Sequence, residues 1–187
     1  MAEAPILIIS GTNRPNSNAL RIARTLAGHY RDLNVPHDLL SLEELPPDFF
    51  DPANYASKPP SVQQLQKRIL DALGLHVVTP EYNGSLPGVL KYFIDMLKFP
   101  ESFDAKPVAF VGESNGATGA VRPVEHLQQI FGYRNAHIFP ERVFIPGVKE
   151  KVSAAGQITD AGIAERLQRQ AARFASYARH MHGCPRT

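Results

Sequence analysis

The chain has 187 residues, 43% of them hydrophobic and 20% charged, with a formal net charge of +2. That length suits one α/β core, and the balanced charge argues against a nucleic-acid groove or a polybasic membrane patch. No apolar run approaches the roughly 20 residues that span a bilayer, and Met1 to Pro5 lack the charged and apolar regions of a secretory signal, so the expected place is the cytoplasm, without membrane insertion.

Pro5 to Ser10 predicts a buried strand, apolar on both faces as a parallel sheet requires. It runs into the polar loop Gly11-Thr12-Asn13-Arg14-Pro15-Asn16-Ser17-Asn18. That loop opens a helix with Ala19, Leu20, Ile22, Ala23, Leu26, Ala27 and Tyr30 at helical spacing. Such a loop aims backbone N–H groups, with the positive end of the helix behind them, at one point. This is an anion site, and its usual guest is phosphate. Thr12, Ser17 and Asn18 add neutral donors, and Arg14 adds a planar fork that can grip a phosphate. An ordinary turn capped by Asn16 or Ser17 is the plainer alternative. The loop has neither the Lys of a nucleoside-triphosphate loop nor the three glycines of a dinucleotide fold.

Pro36 to Leu42 predicts a second strand, and 44–60 a long loop that covers something or packs against a partner. Ser61 is the expected cap of a second helix built on Val62, Leu65, Ile69 and Ala72. Leu75 to Thr79 is a third strand. The loop Pro80 to Ser85 leads into a helix with Pro87 near its start and Val89, Leu90, Phe93, Ile94 and Leu97 on one side. A fourth strand, Pro107 to Val111, precedes a glycine-rich loop, Gly112 to Gly119, and a helix through about Phe131. Ala136 to Phe139 is a fifth strand, and Thr159 caps a final helix with Ile163, Leu167, Ala171, Phe174 and Ala178 facing the core. No repeat or linker divides residues 1–187, which read as one domain with a short tail from about residue 182. The lone cysteine, Cys184, reads as an incidental thiol in that tail. The seven histidines have no ligand spacing, and no metal motif is present.

Strand and helix alternate five times, which predicts an open parallel sheet with helices on both faces. In the strand order 2-1-3-4-5, the loops after strands one, three and four are neighbours. They converge on one ligand site at the carboxyl ends of the strands. The second loop is stiff, yet its backbone can approach a flat ring closely. Its N–H groups suit the carbonyl edge of such a ring, with Tyr82 beside the ring or gating access to it. In the third loop, Ser114, Asn115 and Gly116 can touch the ring's other side. The plainer readings are a turn at Asn83-Gly84, a solvated or helix-start charge at Glu81, and a tight glycine turn in the third loop.

Gly11-Thr12-Asn13-Arg14 with Ser17-Asn18, followed by Thr79-Pro80-Glu81-Tyr82-Asn83-Gly84-Ser85-Leu86-Pro87-Gly88-Val89-Leu90-Lys91, resembles the NADPH-dependent FMN reductase family, which includes flavodoxin-like quinone, azo-dye and chromate reductases. The likeness continues through Lys106-Pro107-Val108 and Ser114 to Gly119. It implies a flavodoxin-like three-layer sandwich that binds FMN. The family's phosphate loop falls on Thr12, Asn13, Arg14, Pro15, Asn16, Ser17, Asn18 and Ala19. Its flavin-ring loop falls on Pro80, Glu81, Tyr82 and Asn83, with Gly84 adjoining, and a further contact falls on Ser114. The chain departs from the common pattern at Thr12, where Ser is usual, at Tyr92 and Met96, where Asn and Trp are common, and at Ala120, where a second glycine is common.

The resemblance further implies that NADPH or NADH is the co-substrate and that a small molecule is the electron acceptor: a quinone, an azo compound, a free flavin or an oxidised metal ion. No protein side chain need be catalytic, since the chemistry is flavin-borne. Backbone N–H groups of the second loop would stabilise charge near the flavin N1, and Tyr82 would line the substrate pocket. One open ring face implies ping-pong turnover. A non-enzymatic flavodoxin-like electron carrier, or a flavin-binding regulatory module, is the alternative, although such carriers are usually strongly acidic and this chain is not. The aromatic residues Tyr92, Phe93, Phe99 and Phe103, with Phe49, Phe50 and Tyr55 of the long loop, predict a homodimer or a homotetramer.

Overall fold

Buried, continuously apolar runs dictate the middle of this molecule, a computed structural model that describes residues 3–182. The strands are β1 (Ile6–Ser10), β2 (His37–Ser41), β3 (Gly74–Pro80), β4 (Pro107–Ser114) and β5 (His137–Pro146). All pair in parallel in the order β2-β1-β3-β4-β5. Every residue of β1 and β3 is buried, because helices cover both faces of the sheet. The helices are α1 (Asn18–Asp32), α2 (Pro60–Asp71), α3 (Gly88–Asp95), α4 (Val121–Tyr133), the short α5 (Val148–Lys151) and α6 (Ala161–His182). Alternate residues of β1 point to opposite layers. Ile6 and Ile8 pack with Ile22 and Leu26 of α1 and Phe174 of α6, while Leu7 and Ile9 pack with Leu65 of α2, Phe93 of α3 and Leu127 of α4. This is the parallel sheet between two helical layers expected from the alternation, and the flavodoxin-like three-layer sandwich that the resemblance implies. Among the described residues no helix is long and apolar enough to cross a membrane. Cys184 and the tail beyond His182 lie outside the described residues.

Several local expectations are corrected. Ser61 does not cap α2: the helix starts at Pro60 with Pro59 as its N-cap and no side-chain cap bond, since a proline at the first helical position supplies the entry angle with no donor to satisfy. Asp160, not Thr159, caps α6, its Oδ1 accepting the Ile163 N–H at 3.0 Å. The 44–60 segment is not all loop, for 3-10 turns form at Leu42–Glu44 and Pro52–Tyr55. Its aromatic residues pack on the same chain, with Phe49, Phe50 and Tyr55 all in ring contact with Tyr92. β4 runs on through Gly112 and Glu113 to Ser114, and β5 through Pro140 to Pro146. β5 is an edge strand, which tolerates Pro140 beside the register shift opposite Val108 and Phe110.

One polar network crosses the core. Gln170 donates from Nε2 to the carbonyls of Phe110 at 3.0 Å and Glu141 at 2.9 Å. Its Oε1, 3.2 Å from His76 Nε2, therefore accepts, which leaves His76 Nδ1 to accept the Tyr30 hydroxyl at 2.8 Å. Burial holds the His76 pKa down to about 4, so the imidazole is neutral and its tautomer fixed.

Candidate active site

The phosphate-type loop is built from the end of β1. The Gly11 N–H donates to the Val78 carbonyl at 2.8 Å. A Cβ on Gly11 would lie 2.9 Å from that oxygen and 2.8 Å from Leu90 Cδ2, so only glycine permits the close approach. Thr12 is buried. Its Oγ1 accepts the Arg14 N–H at 3.2 Å and lies 3.0 Å from the Tyr82 hydroxyl, joining the first loop to the second. Asn16 takes a positive φ of 55°, a conformation that asparagine tolerates better than most residues. Ser17 is the N-cap of α1, its Oγ accepting the Leu20 N–H at 3.1 Å, and Asn18 Oδ1 accepts from Arg21 at 3.1 Å. Among the described residues the N–H groups of Asn16, Ser17 and Asn18 have no acceptor, and the exposed Arg14 guanidinium has no partner.

In the second loop, the Glu81 N–H donates to the Glu113 carbonyl at 3.2 Å, and Tyr82 and Ser85 exchange backbone bonds of 2.9 and 3.1 Å. Asn83 (φ 51°) and Gly84 (φ 76°) close a two-residue hairpin of the type that needs positive φ at both positions. Asn83-Gly84 is therefore a turn. Its two N–H groups have no acceptor among the described residues, whereas those of Glu81 and Tyr82 are engaged within the chain. Arg122 of α4 stands 3.8 Å from Glu81, and the Ser85 hydroxyl lies 2.8 Å from His126 Nδ1.

The third loop departs from β4 after Ser114 and turns into α4 through Gly119 (φ 61°) and Ala120 (φ 70°). Glu113, 5% exposed, presents its carboxyl to the Ala19 N–H in the first turn of α1. Burial outweighs the pull of that N–H and pushes its pKa up to about 7.

These loops meet in a cleft of about 300 Å³ at the carboxyl ends of β1, β3 and β4. Of the residues singled out from sequence, Arg14, Pro15, Asn16, Ser17, Asn18, Pro80, Glu81, Tyr82, Ser114 and Asn115 line it. Thr12 and Ala19 are buried, and Asn13, Asn83, Gly84 and Gly116 lie outside its lining. Sequence reasoning missed Glu113, Val148 and Lys149, which also line the cleft. A larger cavity of about 430 Å³ lies between α3 and α4, lined by Ile94, Leu97, Phe99 and Phe103 among others, and touches none of the three loops. The cleft suits a flat ring joined to a phosphate. Unpaired N–H groups and a guanidinium line it at the start of α1, where an anion is favoured, and Pro80, Glu81 and Tyr82 form a stiff wall on its other side.

The family model for NADPH-dependent FMN reductase matches residues 4–150. The chain is 31% identical to a quinone reductase of Escherichia coli over 176 residues, covering 92% of this chain and 94% of that one. It is 33% identical to an NAD(P)H-dependent FMN reductase of Pseudomonas aeruginosa over 128 residues, covering 67% and 69% respectively. Among solved structures it is similar to FerB, a flavoenzyme NAD(P)H:(acceptor) oxidoreductase from Paracoccus denitrificans, with a TM-score of 0.80, 26% identity, and 96% and 99% of the two chains covered.

Proposed function

We propose that this chain, which belongs to the NADPH-dependent FMN reductase family, is an FMN-dependent oxidoreductase that takes electrons from NADPH or NADH and delivers them to a quinone or a similar small acceptor by ping-pong turnover. The convergence of three loops on one cleft, with its unpaired donors at the start of α1, supports this reading best. Bound FMN supplies the redox chemistry, as an acceptor of hydride from the nicotinamide and a donor to the second substrate. Arg14 and the N–H groups of Asn16, Ser17 and Asn18 hold the phosphate. Asn83 and Gly84 offer N–H groups to the ring's carbonyl edge, where negative charge develops, and fixed donors of this kind need no reorganisation as it does. The Tyr82 hydroxyl, tied to Thr12, holds the ring loop against the phosphate loop and borders the place where substrates enter. No side chain is assigned as acid, base or nucleophile.

Azo compounds, free flavin and oxidised metal ions are further acceptors of the same kind, and the enzyme works in the cytoplasm. It functions as a homodimer or a pair of dimers. Phe49, Phe93 and Phe103 belong to its own core, while Phe50, Tyr55 and Phe99 stay 48–59% exposed and offer apolar surface to a second copy. Light scattering that finds only a 20.6 kDa species would remove the dimer from this account. Ping-pong turnover is tested by steady-state rates against NADPH at several quinone concentrations. Parallel double-reciprocal lines are expected, and intersecting lines would mean that both substrates bind together.

A further inference from the structure

A phosphate loop at a helix N-terminus is the last place where an ionised carboxylate is favoured beside the ligand, yet Glu113 stands there. Its backbone is fixed by β4, its carbonyl accepts the Glu81 N–H, and its side chain is buried in the wall of the cleft. The donors of the first turn of α1 are divided three ways. Ser17 Oγ takes the Leu20 N–H, the Ala19 N–H lies towards the Glu113 carboxyl and favours its charged form, and the Asn18 N–H has no acceptor among the described residues. Glu113 therefore stands beside one of the N–H groups that a phosphate at this helix end would use.

We propose that Glu113 and the FMN phosphate share one proton, so that seating the phosphate draws a proton from solvent onto the Glu113 carboxyl and turns a competitor for the Ala19 N–H into a hydrogen-bond donor to the phosphate. The inference rests on FMN occupying the cleft as described above. Two ionised anions against the same helix end repel each other with little water to screen them, whereas a protonated carboxyl can donate to a phosphate oxygen. No bond to phosphorus changes, and the single proton taken up is the whole balance. The charged and titratable groups facing the same cleft are Arg14 before α1, Lys149 of α5, Glu81 after β3 with Arg122 of α4 beside it, and the Tyr82 hydroxyl. Arg14 and Lys149 are exposed and attract any anion. Glu81, with a side chain only 16% exposed, adds a second negative charge and strengthens the case for neutralising Glu113. Burial already holds the free Glu113 pKa near 7, so the proton is available within the ordinary pH range.

The test is FMN affinity by flavin fluorescence between about pH 6 and 8.5 for the wild type and Glu113→Gln, with riboflavin as the phosphate-free ligand. Wild-type affinity for FMN should weaken towards about tenfold per pH unit above pH 7, the slope for uptake of one proton. Glu113→Gln and riboflavin binding should be flat there. Calorimetry of the wild type at about pH 8, in two buffers of different ionisation enthalpy, should find close to one proton taken up per FMN, and this reading does not depend on the variant folding. Flat wild-type affinity with no proton uptake, or a slope that survives in Glu113→Gln, would overturn the inference while leaving the cofactor site intact. Failure of FMN to bind at any pH would overturn both.

Discussion

The flavin-free protein should carry two opposed pH dependences over one window, from His76 and from Glu113. The His76 pKa is held near 4 in the folded protein against an ordinary 6.5, because burial of the ring outweighs the Gln170 bond, which favours the charged form. The unfolded chain binds that proton first as pH falls, so the His76 contribution is present above pH 6.5 and is lost towards pH 4. At about 1.4 kcal/mol per pH unit, that is about 3 kcal/mol. The Glu113 pKa is pushed up to about 7 against an ordinary 4.5. Here the folded protein holds the proton longer, so its contribution is present below pH 4.5 and is lost as pH rises through 7, again by about 3 kcal/mol. Urea unfolding at steps from about pH 4.5 to 8 would read both. Subtracting the Glu113→Gln curve from that of the wild type isolates a contribution that falls with rising pH, and subtracting the His76→Gln curve isolates one that rises. The bonds lost in His76→Gln shift its curve as a whole and leave the slope to titration. Two flat difference curves, or two of the same sign, would refute the assignment.

Arg14→Ala should weaken FMN by about tenfold to a hundredfold, from the roughly 1.5–3 kcal/mol of a charge-assisted hydrogen bond. It should leave riboflavin affinity and the unfolding midpoint of the flavin-free protein unchanged, because Arg14 has no partner among the described residues. Ala120→Gly should leave stability within about 0.5 kcal/mol of the wild type in denaturant titrations, because relief of the strain of a φ of 70° is offset by the added freedom of the unfolded chain and by loss of a fully buried methyl group. Tyr82→Ala should change the KM for the acceptor more than FMN affinity, because the side chain is 36% exposed at the cleft and only its hydroxyl reaches back to Thr12. Steady-state rates and flavin titration on one preparation would decide between the two effects.

The sheet order was legible because each strand is a short apolar run separated from the next by a helical stripe, and right-handed crossovers leave few ways to assemble them. The strand ends were harder to read. Gly112 and Glu113 look like loop, and their place in β4 comes from pairing with the end of β3. Pro140, Glu141 and Arg142 belong to β5 only because an edge strand has one side free. The first and second loops were legible from donor-rich residues at a strand-to-helix turn and from Asn-Gly at a hairpin. Which N–H groups stay unpaired was not, since Glu81 and Tyr82 lose theirs to acceptors that the fold brings in. Glu113 escaped notice because an anion site argues against a carboxylate, and only its burial makes a protonated one reasonable. Lys149 and Val148 reach the cleft through the turn after β5, a placement that no local pattern carries.

The most direct test of the account is anaerobic mixing of the FMN-loaded protein with NADPH, and separately with NADH, in the absence of any acceptor. The visible flavin absorbance should fall with at least one of them, at a rate no slower than turnover, and return when a quinone is added. Absorbance that stays unchanged with both until the acceptor is present would contradict a single shared site that serves the two substrates in turn.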